Sequence, residues 1–275
     1  MALGWSCCFI LRISFVSFEV RLLRLTAAKH AYALGLAILV PTVGHTTISG
    51  PSSVLQCPDS SAVVLRLSLL SGNNFGATYW SDGESWLPMM PKFPQITRCG
   101  DAGRIFWVED AVVLGKIAIP GDGTQSSAWE KAVPARFLSE EEYLDAVATG
   151  VATTPKRLVQ LRILAWRAAN DCALGRGQYR AYRPQGPSAP ALPCRLPTFP
   201  KGSRARGNLE ALVDVFHVEG NNALLLRVEM LRELGRFAEA QTLLAAAPAS
   251  SAQIAHWMQD RINRKDDKAA VLDLK

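Results

Sequence analysis

The stretch "QITRCGDAGRIFWVED" (95–110) holds two short apolar runs, "QIT" (95–97) and "RIFWV" (104–108), on either side of a Gly-containing turn that carries one cysteine, Cys99. β-branched and aromatic runs separated by Gly and Asp are the signature of a β-hairpin. Moving upstream, "VVLRLSLL" (63–70) and "ATYW" (77–80) repeat the pattern, and "SGNNFG" (71–76), "SDGES" (81–85) and "PMMPKFP" (88–94) supply the punctuation. Residues 63–108 therefore predict a small antiparallel sheet.

Downstream the period changes. Ser139 with Glu142 three residues later makes a capping box, and Gly150 is a stop signal. Thr154 and Pro155 form an N-cap and first-turn pair ahead of Leu158, Leu161, Ala165, Ala168 and Cys172, whose spacing predicts a helix running to Gly175. The segment "RPQGPSAPALPCRLPTFPKGSRARG" (183–207) interrupts with six prolines, which remove backbone donors and disfavour helix before each ring. It reads as an extended, mobile insertion. Asn208 is placed to cap the next helix, "LEALVDVF", followed by "ALLLRVEMLRELG" (223–235) and "FAEAQTLLAAAP" (237–248). A last helix is expected to open with a Ser250–Gln253 capping box and to bury Ile254, Trp257, Met258 and Ile262. The fold class is α+β.

Composition is that of an ordinary globular chain, 49% hydrophobic and 20% charged over 275 residues, with a formal net charge of +6. The charge is unevenly spread: residues 156–206 hold eleven Lys or Arg against the single acid Asp171, a surplus of ten that leaves the rest of the chain at −4. Residues 1–54 form a leader whose apolar runs are broken by Arg12, Arg21, Arg24 and Lys29, short of the roughly 18 apolar residues that a membrane helix needs. A transit peptide, an extension with no role in the fold, a membrane-associated segment and a signal peptide stay open for it. No stable transmembrane anchor is expected, and the location is cytoplasmic, or organellar if the leader is a transit peptide. The six cysteines show no pattern of a disulfide framework and are expected to be reduced thiols.

"CPDS" (57–60) and "CGDAG" (99–103) each resemble one knuckle of a zinc ribbon, with Ser60 and Ala102 where the second ligand of each knuckle stands. Cys57 and Cys99 are then vestigial ligands, since a structural zinc site wants four soft or imidazole donors. No metal or other cofactor is expected, and packing by Leu67, Trp80, Phe106 and Trp107 takes over the metal's role. "LLRVEMLRELGRFAEAQTLLAAAP" (225–248) resembles a tetratricopeptide repeat: Leu224, Val228 and Leu231 on a first helix, a turn at Leu234, Gly235, Arg236 and Phe237, then Ala240, Leu244, Ala247 and Pro248. With "LSGNNFGATYWSDG" (70–83) and "LRILAWRAAND" (161–171), the order resembles an uncharacterised, mainly bacterial family of ribbon-plus-repeat proteins. The resemblance implies a degenerate ribbon-like β domain over 55–119 and a repeat-like helical domain over 139–265 split by 183–207. It implies no activity.

Asn73, Asn74, Tyr79, Trp80 and Asp82 are the residues that could line a ligand groove, and Asp82 with Glu84 the pair that could do acid–base work; turn geometry accounts for the same residues. No phosphate loop, nucleophile triad or zinc-protease motif is present in the sequence. The expected function is that of a non-enzymatic protein-interaction module, with Arg227, Glu229, Arg232 and Arg236 as its partner surface. The alternatives are nucleic-acid binding through the basic 156–206 segment, with Tyr179 and Tyr182 available for stacking, and an enzyme of unrecognised type centred on 71–86.

Overall fold

The computed structural model describes residues 47–100, 103–117, 129, 132–176, 199–217 and 220–273. These lie in one unit spanning 44–275. The first 46 residues of the leader, and 183–198 of the Pro-rich insertion, lie outside the described residues. The architecture is mixed α+β, with a four-stranded sheet, two small two-stranded sheets and six α-helices among the described residues.

The main sheet is built on β1 (Ile48–Gln56), which pairs antiparallel with β2 (Val63–Ser71). The β3 (Thr78–Tyr79) and β4 (Ser85–Trp86) strands form one small hairpin, and β5 (Ile96–Arg98) and β6 (Ile105–Trp107) the other. The β7 strand (Val113–Ile117) joins the far edge of β1, and β8 (Val133–Pro134) lies parallel to β2, giving the order β7-β1-β2-β8. All four expected runs are strands, but they belong to three sheets rather than one. The principal partner of β2 is β1, most of which falls inside the expected leader. "ISGPSSVLQ" carries Gly50, Pro51 and three serines, which is poor strand composition. The register slips between Gly50 and Ser53, and that irregularity accommodates the proline.

The β1–β2 turn and the β5–β6 turn each hold one cysteine. Cys57 N donates to Ala62 O (2.9 Å) and Cys99 N to Arg104 O (3.3 Å), so each cysteine closes its own turn. The two sulfurs are joined in a disulfide with a Cα–Cα distance of 5.8 Å. The expectation of reduced thiols is corrected here: the strands bring the two turns together, and the sulfurs satisfy each other. With both thiolates consumed, the donor set does not fit zinc. Arg104 and Asp59 add an ion pair at 2.8 Å between the same turns. Leu55, Val64, Phe106 and Val108 bury themselves around the bridge. Gly103 is required there, because a Cβ would lie 2.0 Å from Cys99 O.

The helices begin with α1 (Glu140–Ala148), whose capping box is formed as expected: Glu142 N donates to Ser139 Oγ, and Ser139 N to the Glu142 carboxylate. It stops at Gly150, which has a φ of 72°. The long α2 (Pro155–Ala173) follows, with the Arg157 amide donating to Thr154 Oγ1. Next come α3 (Arg204–Val215), α4 (Asn221–Glu233), α5 (Phe237–Leu244) and α6 (Ala252–Asn263). Two sequence-based starts are corrected. The α3 helix starts at a Ser203 cap, five residues before the expected Asn208 cap, and Asn208 is buried within it, where it exchanges hydrogen bonds with Arg162 on α2. Ser250 does not cap α6, because a 3-10 turn over Ala249–Ser251 leads into that helix. The end of the expected insertion is therefore part of the fold: Phe199 is buried, and Arg204 and Arg206 are ion-paired.

The α2 helix is shared between two cores. Leu161, Ala165 and Ala168 pack with Ile96, Ile105, Trp107, Tyr143 and Leu144, binding the β5–β6 hairpin and α1. Trp166 and Ala169 face Leu209, Leu212, Val228, Leu231, Ala240, Met258 and Ile262 of the later helices. One helix thus holds the β-rich and helical halves together, burying apolar area on both sides at roughly 25 cal/mol per Å².

The disulfide closes a separation of 42 residues, for which loop entropy gives about 4 kcal/mol. The double substitution Cys57→Ser, Cys99→Ser is expected to lower the unfolding free energy by about 2–4 kcal/mol. Dithiothreitol should have the same effect on the wild type and none on the variant. Urea unfolding with and without reductant measures both.

Candidate functional site

The richest polar arrangement lies where the β3–β4 turn meets the ends of α2 and α4. "WSDGES" folds as a tight turn: Trp80 N donates to Glu84 O (2.9 Å), Gly83 N to Trp80 O (3.0 Å), and Glu84 N to Asp82 Oδ1 (3.1 Å). Such self-bonding is the usual work of Asp in a turn. Gly83 has a φ of 71°, and a Cβ there would lie 2.6 Å from Leu226 on α4, so glycine lets the turn seat against the helix.

Seating drives Asp82 inward. Its side chain is 0% exposed and meets Arg176, itself 1% exposed, which follows α2 by one turn. The pairing is two-pronged: Nη1 donates to Oδ1 at 2.8 Å and Nη2 to Oδ2 at 2.5 Å. Arg176 also donates through Nε to Asp171 Oδ1 (3.0 Å) and through Nη2 to Arg167 O (3.2 Å), while its guanidinium lies 4.9 Å from the centre of the Trp80 ring. Asn170 Nδ2 donates to Asp82 Oδ2 at 3.3 Å and to both oxygens of Glu233, at 3.1 and 3.2 Å. Trp166 Nε1 gives Glu233 its shortest bond, 2.7 Å. On the same helix as Glu233, buried Arg232 pairs with buried Glu229 at 2.6 and 2.8 Å.

A C-terminal segment completes the arrangement. Arg232 donates to Asp266 O and Lys268 O. Further on, Ser81 N donates to Ala270 O and Leu272 N to Tyr79 O, so residues 270–272 lie antiparallel beside 79–81 through an isolated β-bridge between Trp80 and Val271.

Burial alone works against the Asp82 carboxylate, but the hydrogen bonds and charge of Arg176, with Arg167 and the Glu84 amide, outweigh it and hold the group below the usual carboxylate range. Glu233 moves the other way: burial first, then the charge of Glu229, push it well above that range. Asp82 accepts four hydrogen bonds and acts as a counter-ion. It is not poised as a general base, which must reach a substrate proton.

The sequence-predicted residues are only partly brought together. Trp80 and Asp82 belong to the buried arrangement. Tyr79 is 48% exposed, Asn73 is half-buried with Oδ1 accepting from Phe75 N, and Asn74 is exposed in the preceding turn. The expected partner surface divides as well. Arg236, with its pair Glu239, and half-buried Arg227 remain within reach of solvent, whereas Glu229 and Arg232 are fully buried and present nothing to a partner. They are turned inward because the C-terminal segment offers carbonyls that Arg232 satisfies. Sequence reasoning missed Arg176, Asn170, Trp166 and Glu233. Its available signal was Trp166 and Asn170 at i, i+4 within an apolar helix, and Glu229, Arg232 and Glu233 inside the apolar run of α4.

The basic stretch 156–206 also looks different in three dimensions. Arg157 pairs with Glu109 and Asp110, Arg204 with Glu141 and Asp145, and Arg206 with Glu210. Arg162, Arg167 and Arg176 are engaged by Asn208, Asp82 and Asp171. Among the described residues, no group of three His, Cys, Asp or Glu is placed to hold a metal ion, and no helix is long and apolar enough to cross a membrane.

No family model, curated protein or solved structure matches this chain.

Removing one partner of a buried pair leaves the other charged and unsatisfied, at about 3–5 kcal/mol. Asp82→Asn is expected to destabilise by that amount. The double substitution Asp82→Leu, Arg176→Met is expected to lose less than the single one, because it removes both charges. Chemical denaturation of the three proteins is the check.

Proposed function

We propose that the chain is a non-enzymatic protein-interaction module, with its binding face on the hairpin of α4 and α5 and the adjoining α6. The observation that carries this reading is Ala240. It is fully buried where α5 meets α4, and the turn between them passes through Gly235 at a φ of 74°. A small residue at a helix contact lets two antiparallel helices approach closely, as in tetratricopeptide-like pairs. The outward side of α5 then carries Ala238, Gln241, Thr242 and Ala245, an exposed face of short side chains with Arg236 and Glu239 at its rim. The cysteine-bearing turns support a ribbon-like β half that buttresses the stack, in keeping with the resemblance to ribbon-plus-repeat proteins.

The engagement of the carboxylates around Asp82 supports the non-enzymatic reading over acid–base chemistry on 71–86. The ion pairs of Arg157, Arg167, Arg176, Arg204 and Arg206 favour a protein partner over nucleic acid, because phosphate contacts draw on basic groups that are not already neutralised. The disulfide supports an oxidising compartment in place of a cytoplasmic one.

The test is quantitative recovery of cross-linked partners from extracts of the source cells. Gln241→Arg and Ala245→Arg, on the outward face, are expected to cut recovery at least tenfold while the circular dichroism spectrum stays that of the wild type. Ala240→Trp is expected to unfold the stack by overpacking. Full recovery with both arginine variants, together with loss on Tyr79→Ala, would move the activity to the β half.

A further inference from the structure

Among the described residues, the charged groups around Glu233 are ion-paired with one another rather than with it. From the β3–β4 turn it is faced by Asp82, with Glu84 behind; from α2 by Arg167 and Asp171, with the neutral donors Trp166 and Asn170; after α2 by Arg176; from its own helix by Glu229 and Arg232. The C-terminal segment adds Asp266, paired with Arg261, and Glu84 has a second partner in Lys92. Among the described residues, the anions Asp82, Glu84, Asp171, Glu229 and Asp266 pair with the cations Arg167, Arg176, Arg232, Lys92 and Arg261. An ionised Glu233 is then a sixth anion, and its hydrogen-bond donors are an indole and an amide; neighbouring Arg232 acts on it through its charge but gives it no hydrogen bond. The donors of Arg232 are spent on Glu229 and on the carbonyls of Asp266 and Lys268. A charge so placed is costly, and the group neutralises instead.

We propose that Glu233 holds a proton in the folded protein and that losing it releases the C-terminal segment 266–272 from residues 79–81, making this arrangement a pH-sensitive latch. Ionisation sets Glu233 against Asp82 and Glu229, the carboxylates that orient Arg176 and Arg232. Arg232 in turn holds the carbonyls of the C-terminal segment. Burial first, then the charge of Glu229 and more weakly that of Asp82, raise the Glu233 carboxyl and outweigh the charge of Arg232 and the Trp166 hydrogen bond, which pull it down.

The sign follows from proton linkage. A carboxyl raised in the folded state binds more protons there than in the unfolded chain. Its contribution is complete below the ordinary glutamate value of about 4.3 and is lost as pH rises through the folded value, at about tenfold in the folding equilibrium per pH unit. Asp82 is shifted the opposite way, so its contribution is lost only in acid, as pH falls through its lowered value.

Two measurements decide the matter. Hydrogen exchange, corrected for intrinsic rates, follows the amides of Ser81 and Leu272 from about pH 5 to about pH 9. In the wild type their protection should fall as pH rises, while Glu233→Gln, a neutral mimic of the acid, should keep it. Parallel profiles in the two proteins overturn the proposal. Should Glu233→Gln fail to fold, the indole N–H resonance of Trp166 in the wild type, assigned by its loss in Trp166→Phe, reports the proton directly. A midpoint above about pH 5 supports the latch, and a flat signal or a midpoint below that value overturns it.

Discussion

The two-pronged pair of Asp82 and Arg176 is the contact on which the junction of the two halves depends. A turn of two very short strands has little stability of its own. It becomes fixed because its aspartate reaches a guanidinium supplied 94 residues later, just beyond the end of α2. Around that pair are gathered Asp171, Asn170 and the ring of Trp80, and through Asn170 the end of α4 is drawn in. Buried ion pairs are not cheap to form, and a hydrophobic replacement often serves stability as well. What a charged pair adds is intolerance of misplacement, because either group alone in this interior is heavily penalised.

The same logic explains why the chain's charge is so uneven along its length. Arg157, Arg167, Arg176 and Arg204 look like part of a basic patch when read in order, yet acids that pair with them come from elsewhere: Asp82 and Glu84, Glu109 and Asp110, Glu141 and Asp145. Part of the surplus in one segment is thus met by the acids of others. A linear charge count measures a surface only when opposite charges are also close in sequence, and here they are separated by as many as 94 residues.

This difference between local and distant causes marks what was legible in the sequence. The helix starts at Ser139 and Thr154, the stop at Gly150 and the close-packed Ala240 depend on neighbours within a few positions, and the structure has them. The β1 strand was hidden because Gly50 and Pro51 are poor strand formers, tolerated only at a register slip beside a partner. Asn208 looked like a cap and is instead a buried tie to α2; Cys57 and Cys99 looked like remnants and are instead each other's partner. Of the candidate site, the turn that carries Asp82 could be read, but its destination could not. That destination is set by Arg176 and Glu233, whose positions follow from packing of the helices and from no local pattern.

The isolated bridge between Trp80 and Val271 bears on the order of assembly. Ser81 and Ala270 are 189 positions apart, so their contact closes most of the described chain into a single loop. The entropy of such a closure is favourable to lose only after other contacts have shortened the effective distance. The α4–α5 hairpin closes over a few residues, and the disulfide-bearing turns over a few tens. Those two units are free to organise early and independently, whereas the bridge between 79–81 and 270–272 must wait for both. It is the step that reports completion of the fold, and a chain stalled before it holds native helices and native hairpins with an unpaired edge at Trp80.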